Sequence, residues 1–223
     1  MNTMLEGTLQ LLFPQRLCCH GCGCLLTQGE GLLCTPCQDA LNRCTFKRRD
    51  EEIHFKPEQL LAASAYAYDG MAAELTRSLK YASDRAAAQP LAQGMAARFV
   101  RMPKLRAAEV CVAVPSYPKQ ARKRGYAQAQ VLCDAFTQIT GMPQATGALR
   151  RVRHAASQVG KTRDERKKQI VGAFIIHDAQ AVRDKTVLLI DDVLTTGATA
   201  CECARVLYAA GAMRVLALTA CRA

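Results

Sequence analysis

The sequence predicts an α/β fold, a mainly parallel sheet flanked by helices, with a small cysteine-rich module at its N-terminal side. Three observations lead there. Residues 187–190, VLLI, form a short continuous apolar run, the pattern of a strand buried on both faces of a parallel sheet. From about residue 109 onward, such runs alternate with segments of helical periodicity, the order of successive βαβ units. Seven of the 12 cysteines fall between Cys18 and Cys44, ahead of that alternating region.

The cysteine-rich stretch reads as a metal module. Cys19-His-Gly-Cys22 and Cys34-Thr-Pro-Cys37 are two C-x2-C knuckles with 11 residues between them. Each knuckle can place two thiolates on one ion, and the pair completes a tetrahedral four-thiolate zinc site. Gly21, Gly23 and Pro36 suit the tight turns of such knuckles. Cys18 and Cys24 stand close enough in sequence to replace a neighbour. His20, inside the first knuckle, is not expected to be a ligand. A redox C-x-x-C belongs after a strand in a βαβ unit, and these surroundings are short and turn-rich. Cys111, Cys133, Cys201, Cys203 and Cys221 sit in apolar patterns as core residues. The stretch KRRDEEIHFKP is charged and without period. The predicted organisation is therefore a zinc-binding module over 1–48, a linker over 49–60 and a main domain over 61–223.

Within the main domain, Met71–Tyr81 has helical spacing with Leu75 and Leu79 on one face. A second helix opens at Pro90, a good first-turn residue, with Leu91, Met95 and Phe99 as its apolar stripe. Glu109–Val114 is a strand, and Gln128–Ile139 a helix stopped by Gly141. Ala148–Val152 and Val171–Ile176 are further strands. The VLLI strand, a helix over Ala200–Ala210 and a strand over Arg214–Ala220 complete the domain.

Asp191 and Asp192 emerge at the carboxyl end of the VLLI strand, where open α/β sheets bind ligands. Thr195, Thr196, Gly197, Ala198 and Thr199 follow as the next helix begins. A small loop of hydroxyls and glycine at a helix N-terminus offers free N–H groups and the positive dipole end to an anion. Carboxylates for sugar hydroxyls and a nest for a phosphate describe a site for a phosphorylated sugar. The run VLLIDDVLTTGAT resembles the phosphoribosyl pyrophosphate (PRPP) motif of the type I phosphoribosyltransferases. By that resemblance Asp191 and Asp192 hold the ribose hydroxyls, and Thr195 to Thr199 wrap the 5′-phosphate. Lys119, Arg122, Lys123, Arg124 and Gly125 crowd a loop after the strand ending at Val114, the place where that fold holds pyrophosphate.

The order of further motifs narrows the resemblance to the competence protein F (ComF/GntX) family. These are the N-terminal knuckles, Leu79-Lys80-Tyr81, Val114-Pro115, Arg122-x-Arg124-Gly125-Tyr126, Gln158, Arg166 and Gly172-Ala173-Phe174. Ala127 and Gln169 stand where that family commonly has Asn. The resemblance implies a role in uptake of single-stranded transforming DNA, with PRPP or a related phosphosugar as ligand, magnesium accompanying PRPP, and structural zinc. It also implies single-stranded DNA and an ATP-driven DNA translocase as candidate partners. The alternative is an active magnesium-dependent transferase with an unknown acceptor. Thr195 occupies the position where purine-salvage relatives carry a carboxylate base, and it cannot act as one. Lys80, Arg153, His154 and Gln158 are candidates for a closing loop, although such residues are more often plain surface.

Charge agrees with an anionic partner. The net charge is +11, and residues 98–168 hold 16 Lys and Arg against four acids, while the rest balances 14 against 15. Such a stretch suits a polyanion; as a charge run it also fits a solvated surface. With no Trp and 5% aromatics, a dedicated base-stacking platform is not expected. No apolar stretch approaches the ~18 residues of a membrane-spanning helix, and the first residues lack a signal peptide's features. A cytoplasmic location is the expectation.

Overall fold

The computed structural model describes residues 18–46, 52–55, 60–81, 84–152 and 170–223, without the side chains of Gln120 and Lys123. Along the chain lie α1 (Thr35–Arg43), β1 (Ile53–Phe55), β2 (Leu60–Ala67), α2 (Gly70–Tyr81), α3 (Ala88–Arg101), α4 (Pro103–Arg106) and β3 (Val110–Ala113). There follow α5 (Pro118–Arg124), α6 (Gln128–Thr140), β4 (Leu149–Arg151), β5 (Phe174–Ile176), β6 (Thr186–Leu194), α7 (Ala198–Ala209) and β7 (Arg214–Arg222).

Five strands form one sheet in the order β1-β2-β7-β6-β3, and β4 and β5 form a separate two-stranded ribbon. β6 lies at the centre of the parallel part, with Val187 opposite Val110 of β3 and Val215 of β7. β7 in turn pairs in parallel with β2, Leu216 opposite Leu61. Side chains alternate across this sheet as the strand period requires. Leu188, Ile190, Leu216, Leu218 and Leu61 join a core with Leu75, Leu91, Met95, Leu132 and Phe136 of α2, α3 and α6. Val187, Leu189, Val215 and Ala217 face the other way, onto Cys203, Ala204 and Leu207 of α7 and Phe174 of β5. Burial of each large aliphatic side chain here contributes about 1.5–3 kcal/mol. Gly94, in the middle of α3, costs about 1 kcal/mol against Ala in helix propensity. The position admits nothing larger: a Cβ there would lie 2.0 Å from the Tyr66 hydroxyl of β2.

Two regions differ from the sequence reading. The expected linker contains β1, an antiparallel edge strand with Ile53 opposite Ala62 and Phe55 opposite Leu60. Its alternation is only three residues long, so its strand character comes from its partner rather than from local pattern. That partner, β2, reads LLAASAYA. Alanine and serine give little strand preference, and the strand forms because β7 offers a complete parallel edge. The cysteine-rich stretch also holds more regular structure than expected, since α1 starts directly after Cys34 with Pro36 in its first turn. Cys19, Leu33, Cys34, Cys37 and Leu41 share the core of Leu75 and Leu91, and His20 Nδ1 lies 2.8 Å from Asp84 Oδ2. The module therefore packs continuously on the main domain. Among the described residues, no helix is long and apolar enough to cross a membrane.

Candidate functional site

β6 does not stop before the acid pair, as the sequence reading has it. β7 extends to Arg222 and keeps pairing, Asp191 opposite Thr219 and Leu194 opposite Arg222, so both acids lie inside the strand. Alternation then sends them to opposite faces. Asp192 falls on the side of Leu188 and Ile190, where its Oδ2 lies 2.9 Å from Lys80 Nζ at the end of α2. Asp191 falls on the side of Val187 and Leu189, among charges that include Arg151 of β4. The backbone N–H of Asp192 donates to Asp191 Oδ1 at 2.9 Å. Both acids are half-buried.

This geometry shifts their protonation. Burial, reinforced by the neighbouring Asp192, pushes the Asp191 carboxyl up to about 7, against the pull of the Asp192 N–H, Lys80 and Arg151. For Lys80, burial disfavours the charge, but Asp192 and then Asp191 outweigh it and hold the ammonium above its ordinary value. Burial lowers Arg151 from its ordinary value, with Asp191 acting in the opposite direction. The Arg151 guanidinium is 5.4 Å from the centroid of the Phe174 ring.

Beyond Leu194 the chain bends through Thr195–Gly197 into α7. Gly197 takes a left-handed φ of +75° as N-cap. A Cβ there would lie 2.2 Å from the ring of Phe55, so β1 braces the loop from one side and only glycine fits. The Thr196 hydroxyl accepts the N–H of Ala198 at 3.4 Å. Thr195 is exposed, while Thr196, Ala198 and Thr199 are half-buried, and a helix's first turn leaves N–H groups without intrahelical acceptors. α7 is itself anchored. Buried Glu202 accepts the Gly172 N–H at 2.8 Å and holds Arg205 at 2.7 Å. The Gly172-Ala173-Phe174 motif thus supports both the loop helix and Arg151.

The basic segment after β3 is a short helix, α5, rather than a loop. Pro118 sits in its first turn and Gly125 ends it in a left-handed conformation, φ +81°. Its residues divide between two environments. Lys119 and Arg122, with Tyr117, line a cavity of about 740 Å³ together with Arg150 and Arg151. Arg124 and Gly125 instead turn toward the end of α2, with the Arg124 guanidinium 5.7 Å from the Tyr81 ring centroid. The Gly125 carbonyl accepts from Arg85 at 2.9 Å, and the buried Tyr126 hydroxyl donates to the Leu79 carbonyl at 2.5 Å. The Leu79–Tyr81 and Arg122–Tyr126 motifs, 40 or more residues apart, are therefore one contact. Ala127 is the N-cap of α6 and makes no side-chain cap bond; Asn there would provide one. The Lys123 side chain, Arg153, His154, Gln158, Arg166 and Gln169 lie outside the described residues.

The cysteines converge. The sulfurs of Cys19, Cys22, Cys24 and Cys34 all lie within 4.8 Å of one another. Cys22 Sγ is 3.7 Å from Cys34 Sγ, close to the ~3.8 Å edge of a tetrahedron with 2.3 Å zinc–sulfur bonds. Cys37 also interacts with Cys34, Cys22 and Cys19, so five thiols meet where a tetrahedral ion takes four. The Cys19 sulfur accepts N–H groups from Gly21 and Cys34, each at 3.3 Å. Burial raises its pKa, but these bonds and that from Cys22 more than offset it and bring the thiol down to about 6. Such a donor set fits a metal ion. His20 pairs with Asp84 instead.

Sequence reasoning undervalued Lys80 and overlooked Phe55 and Arg151. Lys80 had a signal, as the middle of a three-residue motif, but nothing in its neighbours along the chain indicated an acidic partner over 100 positions away.

The phosphoribosyl transferase domain family model matches residues 122–223. Competence protein F of Haemophilus influenzae is 30% identical over 112 residues, 50% of this chain and 49% of that protein. DNA utilization protein YhgH of Salmonella typhi is 31% identical over 111 residues, 50% of this chain and 48% of that protein. The chain thus spans about half the length of the curated relatives it matches. Among solved structures, glutamine PRPP amidotransferase from B. subtilis, complexed with ADP and GMP, is 18% identical with a TM-score of 0.42, covering 61% of this chain and 26% of that one. UMP synthase of Leishmania donovani is 18% identical with a TM-score of 0.37, covering 82% of this chain and 30% of that one. Residues 122–223 thus match the phosphoribosyl transferase domain model, and across about half its length the chain is similar to competence protein F and DNA utilization protein YhgH.

Proposed function

We propose that the chain binds PRPP or a related phosphosugar and serves in the uptake of single-stranded transforming DNA from a cytoplasmic position. The observation that carries the ligand is the sequence of groups at the end of β6. Asp191 and Asp192 lie half-buried on the central strand, and Thr195, Thr196, Gly197, Ala198 and Thr199 turn directly into the N-terminus of α7. Carboxylates accept from sugar hydroxyls, and the N–H groups of the turn receive the 5′-phosphate. Support for a DNA role comes from the names of the relatives and from Lys119, Arg122, Arg150 and Arg151 around one cavity. A translocating ATPase is the natural partner for such a role. In the cysteine module, zinc would be held by Cys19, Cys22 and Cys34, with Cys37 or Cys24 as the fourth ligand. An active magnesium-dependent transferase is not favoured, because Thr195 offers no carboxylate base.

The test is a calorimetric titration of the whole chain with PRPP in magnesium buffer. The double variant Asp191→Asn, Asp192→Asn is expected to lose about 100-fold or more in affinity, two charge-assisted hydrogen bonds being removed. Equal binding by variant and wild type would end the phosphosugar reading. For DNA, the affinity for a single-stranded oligonucleotide should fall steeply with salt and weaken in Arg122→Glu; a salt-insensitive interaction would remove the claim.

A further inference from the structure

We propose that Lys80 is the resident cation of the acid pair, so that the pocket binds a pentose 5-phosphate without a divalent metal ion. This rests on the phosphosugar reading and specifies its ligand class and its metal requirement.

Lys80 is not an ordinary surface lysine. Its side chain is 23% exposed, that of Asp192 15%, and Nζ meets Oδ2 at 2.9 Å. Exposed pairs of this kind contribute little because both side chains are free to move, but here the backbone that carries the lysine is clamped on both sides. Leu79 is fully buried and its carbonyl takes the Tyr126 hydroxyl. Tyr81 lies beneath the Arg124 guanidinium. Arg85 secures the same turn by bonding the Gly125 carbonyl and lying 4.9 Å from the Tyr126 ring centroid. The ammonium is thus delivered to Asp192 by a built support.

The charges around the pair argue against a divalent ion on it. Such an ion needs free carboxylate oxygens. Asp192 already has an ammonium at hydrogen-bond distance, while Asp191 interacts with Arg151 on the other face of the sheet. Asp192 meets a fixed ammonium and Asp191 lies in the field of the Arg151 guanidinium, so an added divalent ion would be repelled by both. The phosphate end needs no metal either, since backbone N–H groups and the dipole of α7 serve it. The residues present therefore do not fit a magnesium ion held by the acid pair. Lys80 takes that place, balancing Asp192 while the carboxylates accept the sugar hydroxyls.

Ribose 5-phosphate is the suitable probe, because it lacks the pyrophosphate that brings magnesium with PRPP. The full chain is titrated calorimetrically in EDTA and in millimolar magnesium. Wild type should bind with dissociation constants that agree within about two-fold. Lys80→Met should weaken binding in EDTA by about ten-fold, with magnesium recovering part of the loss. Lys80→Arg, which keeps the charge, should recover most of the affinity that Lys80→Met loses in EDTA, and separates a lost cation from a folding defect. Binding by wild type only when magnesium is present would overturn the inference. So would a folded Lys80→Met that matches wild type in EDTA. If wild type binds the probe in neither buffer while PRPP still binds in magnesium, this inference falls alone; if neither ligand binds, the phosphosugar reading falls with it.

Discussion

The cysteine cluster draws its sulfurs from one short stretch of chain. The acid-pair pocket instead collects β1, the end of α2, β4, β6 and the first turn of α7. In the cluster, two C-x2-C knuckles bring thiols together by local turn geometry, and tertiary packing contributes mainly burial of Cys19, Cys34 and Cys37. In the pocket, the local motif provides two acids and a hydroxyl-glycine turn, but the protonation of Asp191 comes from burial beside Asp192, opposed by Lys80 and Arg151 brought from other elements. The first site is specified by spacing and the second by assembly. They should accordingly respond differently to perturbation.

The largest effect is expected at the cluster. Cys34 belongs to both possible ligand sets, so Cys34→Ser should release the metal outright, read as metal content per chain. Only one of Cys24→Ser and Cys37→Ser should share that loss. Because the cluster shares a core with Leu75 and Leu91, removing the metal with a chelator should lower the stability of the whole protein by more than about 5 kcal/mol. Structural zinc contributes on the order of 10 kcal/mol in small modules. A main domain that melts unchanged after metal loss would break the comparison, making the cluster an independent appendage.

An intermediate effect is expected from pH at the pocket. The Asp191 carboxyl is raised from 3.8 to about 7 in the folded chain. Between those values the folded state keeps a proton that the unfolded chain has released, so this group's contribution is full below pH 4 and is lost as pH rises through 7. Thermal melts at pH 5 and pH 8 should show Asp191→Asn gaining about 2 kcal/mol on wild type at the higher pH. No difference between the two melts would mean that the acid is solvated rather than assembled into a buried charge set.

The smallest effect sharpens the comparison. Tyr126→Phe removes one buried hydroxyl bond to Leu79 and should cost about 1 kcal/mol in a denaturant titration. Ribose 5-phosphate affinity should fall only slightly with it. Loss of affinity with unchanged stability would show that the clamp on α2 positions Lys80 rather than merely packing it.

Much of the domain is legible in the chain because its cause is local. The helix over Gly70–Tyr81 follows from the spacing of Leu75 and Leu79, and β6 and β7 follow from continuous apolar runs. β2 is not legible, since an alanine-rich strand owes its existence to β7 beside it. The continuation of β6 through Asp191 and Asp192 escaped for the same reason: hydropathy ends the strand at Ile190, whereas the partner strand carries it to Leu194.

Composition and spacing alone thus named the candidate groups: clustered thiols, adjacent carboxylates and a hydroxyl-glycine turn at a helix start. Only tertiary structure decided which five of the seven thiols between Cys18 and Cys44 meet, which face each acid takes and which cation answers it. Thiol spacing and strand periodicity act over a few residues and survive in the chain as pattern. Charge pairing between α2 and β6 acts through space, over a distance the sequence does not record.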